Sequence, residues 1–131
     1  MLFKYDLKTD KNGFYNVSDK VRESIEKSKV TEGICVVYCP HTTAGITINE
    51  NADEYVARDV NLALEAVFPK MEEFLHDEGN SNCHVKSSVI GASQTLIISQ
   101  GKPVFGVWQD VYFTEFDAPR TRNFYVKIIK G

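Results

Sequence analysis

Apolar and polar residues alternate at period two through Phe3, Tyr5 and Leu7, so the chain opens on a strand, and Asn12-Gly13 then supplies a turn in which glycine tolerates positive φ. At Val17, Val21 and Ile25 the apolar spacing lengthens to four, with Lys, Arg and Glu between, which predicts a short amphipathic helix capped by Ser18 or Asp19. GICVVYC is a continuous β-branched run of strand length, ended by Pro40 just before His41, and AGITINE predicts the next strand. Val56, Val60, Ala63, Leu64 and Val67 place the longest helix over 53–68, with Asn51 or Asp53 as its cap and Pro69 at its end. MEEFLHDEG predicts one further helical turn ending at Gly79, and HVKSSVIG a second short helix closed by Gly91. His76 and His84 would then flank a loop, one at a helix exit and one at a helix entry. The strands TLIIS, VFGVWQDVYFTEF and NFYVKII, separated by the SQGKP and DAPR turns, predict an antiparallel meander. Within it Glu115 falls on the face of Phe113, which puts a carboxylate at a rim or in a site. Mixed elements followed by β-structure predict an α+β domain.

Composition narrows the classes. One domain accounts for 131 residues, and 43% hydrophobic with 25% charged residues is a globular balance. A net charge of -3 supplies no basic footprint for nucleic acid or an anionic membrane. The amino-terminal residues lack the apolar core of a signal peptide, and no run is long enough for a membrane helix, so a cytoplasmic protein is expected. Cys35, Cys39 and Cys83 are odd in number and form no C-x-x-C pair, which argues for reduced thiols over a disulfide framework or a zinc ribbon.

The candidate chemistry gathers around three histidines, His41, His76 and His84, all at expected element ends where polar groups can converge on a cleft. Three imidazoles with a water in the fourth position form one known catalytic zinc arrangement, so a divalent metal, zinc first, is one expectation. The spacing matches no common zinc signature, and proton transfer, anion binding or helix capping are equally open. Asp77 and Glu78 could ligate or orient an imidazole, Gly79 lets backbone N–H groups approach an anion, and Arg120 in the DAPR turn could grip phosphate or carboxylate. Nucleophile elbow, P-loop and dinucleotide fingerprints are absent.

Taken in order, HTTAGITINENAD, Asp59, HDEGNSNCHVKSSVIGAS and GVWQDVYFTEFDAPRTR resemble the YjbQ-like family, to which a secondary thiamine-phosphate synthase activity is attributed. Ala118 departs from the family's usual glycine. The resemblance spans nearly the whole chain and implies a single compact domain, 1–131, with antiparallel, sandwich-like sheets and two to four helices, assembled as a homotrimer. It also implies a polar pocket near a subunit boundary. By that resemblance His41, His76 and His84 are metal ligands, His84, Glu115 and Asp53 are catalytic candidates, and Asn49, Gly79, Asn80, Gln109 and Arg120 contact an anionic substrate. Glu50 and Trp108 also match family positions. Two functions follow as expectations. One is an enzyme acting on a phosphorylated or otherwise anionic metabolite, with thiamine-phosphate synthase activity; the other is a trimeric module that binds such a metabolite without turnover.

Overall fold

The computed structural model describes residues 1–131. In chain order its elements are β1 (Leu2–Thr9), β2 (Gly13–Asn16), α1 (Ser18–Ser28), β3 (Gly33–Tyr38), β4 (Ala44–Glu50), α2 (Glu54–Val67), α3 (Ser81–Ile90), β5 (Ser93–Ser99), β6 (Lys102–Pro103), β7 (Gln109–Glu115) and β8 (Arg120–Lys130). They form two antiparallel sheets, one of five strands in the order β1-β8-β3-β5-β6 and one of three in the order β2-β7-β4. The α+β class, the antiparallel sheets and the helix number match the expectation.

The core lies between the sheets. Cys35, Val37, Leu96, Ile98, Phe124, Val126 and Ile128 of the larger sheet meet Ala44, Ile46, Val111 and Phe113 of the smaller, and α1 closes one side with Val21 and Ile25. Each set recurs at period two along its strand, because alternate side chains point to one face of the pleat. The outer face of the small sheet is covered by α2 and α3, so β7, its central strand, is buried on both faces from Asp110 to Glu115.

That double burial explains why the expected meander does not form. β5 and β6 pair as a hairpin, but the chain then leaves the large sheet. β7 inserts between β2 and β4, and β8 returns to lie between β1 and β3. A strand apolar on both faces needs a layer on each side, and the centre of the small sheet supplies it. Residues 104–108, read as part of one long strand, carry none.

Three local expectations also change. β2 follows the Asn12-Gly13 turn, paired with β7 from Gly13 opposite Glu115 to Asn16 opposite Tyr112. The cap of α1 moves upstream: the Ser18 N–H donates to Asn16 Oδ1 at 2.9 Å, while the Ser18 hydroxyl accepts from the Val111 N–H at 2.9 Å. Residues 71–79 form turns and no helix, and α3 starts early enough to make His84 its fourth residue. The Pro69 break and the short KMEEFL stretch that follows leave no sustained apolar stripe to dock a helix there. Asp53 does cap α2, accepting the Tyr55 N–H at 2.9 Å, and Gly91 ends α3 with φ of 95°.

Candidate functional site

The three histidines line one cleft of about 380 Å³. His41 enters from the loop after β3, His76 from the turn before α3, and His84 from the first turns of α3 itself. Thr42, Thr43, Glu78, Asn80, Arg120 and Arg122 complete the walls, and Pro40 is the one side chain of pure hydrocarbon among them. The rings of His76 and His84 meet edge to face, 5.2 Å between centroids at 87°. His41 stands edge-on to Phe113 at 6.3 Å, and its Nε2 lies 3.0 Å from the Asn123 nitrogen and 3.1 Å from the Asn123 oxygen. In either tautomer Nε2 is committed to that backbone, so Nδ1 is the nitrogen left for a ligand. Burial, and then the nearby Arg122 charge, lower the His41 pKa from its usual value, which keeps the ring neutral at pH 7.

Behind the histidines lies a buried ion pair that joins the two sheets. Glu115 ends β7 and Arg122 is the third residue of β8, each on the inner face of its strand. Arg122 Nε donates to Glu115 Oε1 at 2.8 Å and Nη2 to Oε2 at 2.6 Å, a bidentate fork, and Nη2 also donates to Thr43 Oγ1 at 2.8 Å. The Thr9 hydroxyl at 2.6 Å and the Asp117 N–H at 2.9 Å supply two more donors to the carboxylate. Burial alone would raise the Glu115 pKa; the Arg122 hydrogen bond, then those of Thr9 and Asp117, outweigh it and hold the carboxyl below the ordinary range. A carboxylate so engaged has no lone pair aimed at a substrate, which removes Glu115 as a proton acceptor. It positions Arg122 instead.

Asn80 carries a second irregularity. It stands at the N-cap of α3, where an amide side chain would ordinarily accept a backbone N–H, yet it makes no cap bond. Its Nδ2 donates to Asp117 Oδ2 at 2.8 Å, and its Oδ1 is buried with no partner. An unsatisfied buried acceptor costs about 1–3 kcal/mol, and such groups persist where function requires them. Asp117 Oδ2 also receives Arg120 Nη2 at 2.8 Å, so Arg120 reaches the cleft already paired. Gly79, at φ of 70°, closes the turn between His76 and Asn80 with its N–H on the His76 carbonyl at 3.0 Å.

The remaining candidates lie elsewhere. Asp53 is an exposed helix cap, Asn49 accepts the Glu50 N–H at 2.7 Å, and Gln109 accepts the Gly106 N–H at 2.8 Å beside the exposed Trp108. Glu50 contributes through its backbone, its oxygen accepting the Tyr112 hydroxyl at 3.0 Å. These groups shape loops around α2 and β7, as polar residues at element ends ordinarily do. Conversely, Arg122 was legible: it alternates in phase with Phe124, Val126 and Ile128, which marks a charge on a buried face.

For a metal, the donors fit in part. Two imidazoles on one tetrahedral zinc, with Zn–N of about 2.0–2.1 Å, have ring centroids about 5 Å apart, the spacing of His76 and His84. No three His, Cys, Asp or Glu side chains converge as a ready ligand set. In the tautomer whose Nε2 donates to the Asn123 carbonyl, His41 Nδ1 is the further nitrogen the cleft offers.

The family model described as UPF0047 protein YjbQ-like matches residues 4–131. The UPF0047 protein of Methanocaldococcus jannaschii is 54% identical over 130 residues, spanning 98% of this chain and 94% of that one. YugU, the UPF0047 protein of Bacillus subtilis, is 44% identical over 131 residues, 98% of this chain and 99% of that one. A crystal structure of an uncharacterized YjbQ/UPF0047 protein from Clostridium acetobutylicum superposes with a TM-score of 0.95 at 51% identity, covering 97% and 99% of the two chains. A YbjQ-like protein of unknown function from Sulfolobus solfataricus reaches a TM-score of 0.95 at 25% identity over 100% and 97% of the chains. With sequence and backbone matched almost end to end, this chain belongs to the UPF0047 YjbQ-like family.

Proposed function

We propose that the histidine cleft is the active site of a small cytoplasmic enzyme that binds an anionic metabolite together with a divalent cation. The observation that carries this reading is the meeting of three imidazoles and two guanidiniums on one largely polar cleft. A cation such as zinc would be held by His76 and His84 and would supply positive charge against a leaving anion; His41 lines the same cleft without completing a ready set of three. The chain's own contribution is the buried Arg122, fixed by its fork to Glu115, and the more exposed Arg120, tethered to Asp117, both lining the same cleft. Such fixed donors stabilise developing charge without reorganising.

The reaction implied by family resemblance, thiamine-phosphate synthesis, suits this equipment in one respect. A thiazole nitrogen forms the new C–N bond as the C–O bond to diphosphate breaks; that nitrogen carries no proton, so the step needs an anion site more than a carboxylate base. Only with the cation absent would His84 be free to exchange a proton with the leaving group. The assay is product formation from hydroxymethylpyrimidine diphosphate and thiazole phosphate by untagged protein with and without zinc. Activity lost in His84→Ala supports the enzyme. No turnover in any metal form, with the anion still bound, would select the second reading, a binding module, which the engagement of Glu115 favours.

Assembly as a homotrimer is part of the proposal. It is supported by α2, an amphipathic helix with no buried residue, on which Tyr55, Leu62 and Val67 are 60%, 56% and 65% exposed. Sedimentation at monomer mass across micromolar concentrations would refute it. A cytoplasmic setting fits the three free cysteines, and no helix is long and apolar enough to cross a membrane.

A further inference from the structure

The outer face of the larger sheet is covered by no helix, yet it is not polar. Its outward side chains include Leu2 on β1, Ile34, Val36 and Tyr38 on β3, Ile97 on β5 and Ile129 on β8. An antiparallel sheet with one solvated face ordinarily turns polar residues outward. Here Ile34 stands opposite both Ile97 and Ile129, which makes an aliphatic row across three strands. Leu2, Ile97 and Ile129 are 58%, 61% and 45% exposed. Contiguous exposed apolar patches of this kind mark contact surfaces. The charges on the same face are Lys4, Lys8 and Lys127 against Asp6, so the patch is set in basic surroundings.

The second unpartnered surface, α2, is opposite in charge. Its exposed Tyr55 and Leu62 are seven residues apart and so share one side of the helix. Its charges are Glu54, Asp59 and Glu65 against Arg58. At a rise of about 1.5 Å per residue α2 is about 21 Å long, enough to cross β1, β8, β3 and β5 at their spacing of about 4.8 Å. Contact of like with like would set lysine against lysine on the sheet, or acid against acid on the helix, and both cost affinity. We propose that the open face of the larger sheet receives α2 of a second copy of this chain, each copy giving its helix and receiving another. This rests on the homotrimer proposed above and deepens it: a threefold ring cannot be built from a patch that meets itself, only from two different patches in head-to-tail contact.

Sedimentation velocity of Ile97→Glu, of Leu62→Glu and of their equimolar mixture tests the pairing. Both residues are more than half exposed in the single chain, so neither change removes a core contact. Each variant alone should be a monomer, because one of the two required faces would bury an unpaired charge. The mixture should give a one-to-one dimer, with the intact α2 of the Ile97→Glu chain seated on the intact sheet of the Leu62→Glu chain. Parent-like assembly by Ile97→Glu alone means helix meets helix, and by Leu62→Glu alone that sheet meets sheet; either overturns the pairing and leaves assembly itself standing. A mixture that stays monomeric beside an assembled parent also overturns the pairing. A parent that is itself monomeric across micromolar concentrations overturns both. Should a variant misfold, hydroxyl-radical footprinting of the unmodified protein serves instead: Tyr38 and Tyr55 must both be protected in the assembly and both react on dilution, and protection of only one refutes the pairing.

Discussion

Glu115→Ala tests whether the clasp between the sheets is as costly to break as its geometry implies. The substitution removes acceptors for four hydrogen bonds, from Arg122 Nε and Nη2, the Thr9 hydroxyl and the Asp117 N–H. It leaves the Arg122 guanidinium buried without its counter-ion. Breaking a buried pair by removing one partner costs about 3–5 kcal/mol, since the surviving charge has lost both its attraction and its hydration. With an unfolding entropy of about 2.1 cal/mol/K per residue over 131 residues, that loss lowers Tm by about 11–18 °C. Urea unfolding followed by circular dichroism gives the free energy, and calorimetry the melting temperature. The double variant Glu115→Leu/Arg122→Met should recover most of the loss, because an apolar pair of similar volume needs no desolvation. A Glu115→Ala loss below about 1 kcal/mol at unchanged m would refute the account of a dry, mutually dependent pair. The acid response has a defined sign: Glu115 is lowered when folded, so its contribution is present above the unfolded carboxyl value of about 4.3 and lost as pH falls through the folded value.

His41 gives a second acid signature at higher pH. Its folded pKa is lowered by burial and Arg122, so the folded state favours the neutral ring, and stability declines as pH drops below the unfolded value of about 6.5. Melting temperatures from pH 8 to pH 5 should fall less steeply in His41→Gln than in the parent; identical slopes would remove the assignment. Gly45→Ala should lower stability by about 1–3 kcal/mol, because the new methyl would stand 2.6 Å from the Gly91 carbonyl where α3 packs on β4. The same shift would move His84, so chemical denaturation paired with zinc titration should show both effects, and retention of parent stability would contradict the packing described here.

Much of the fold was written in periodicity. The strands at Phe3–Leu7, Gly33–Tyr38 and Ala44–Glu50 and the helix behind Asp53 follow from spacing and caps, since those signals are local. Strand order was not local. VYFTEF carries large side chains on both faces, and only the presence of α2 and α3 over one side and the large sheet over the other explains why it is central. In the site, His41, His76 and His84 line one cleft together with Asn80; the histidines were expected to meet from element ends, but His76 stands in a run of turns and His84 within α3. Asp53, Asn49 and Gln109 do not, because capping and loop closure use the same residue types as binding. Arg122 escaped notice although its phase with Phe124 and Val126 announced a charge on an inner face, for which Glu115, in phase with Phe113, was the only inner-face acid of β7.

The two walls of the cleft differ in how freely they can change. Arg122, Thr43 and the carboxylate behind them are part of the seam that closes the sandwich, so altering charge on that side disturbs the fold. The opposite wall, with His76 and Glu78, rides on a stretch of turns between α2 and α3 that holds no regular secondary structure and is largely exposed. Substitutions there leave the sheets untouched and fall in the range of about ±0.5 kcal/mol typical of surface positions. Tolerance to change is thereby unequal: on the Arg122 side a new charge costs stability, and on the His76 side it alters one short, exposed turn.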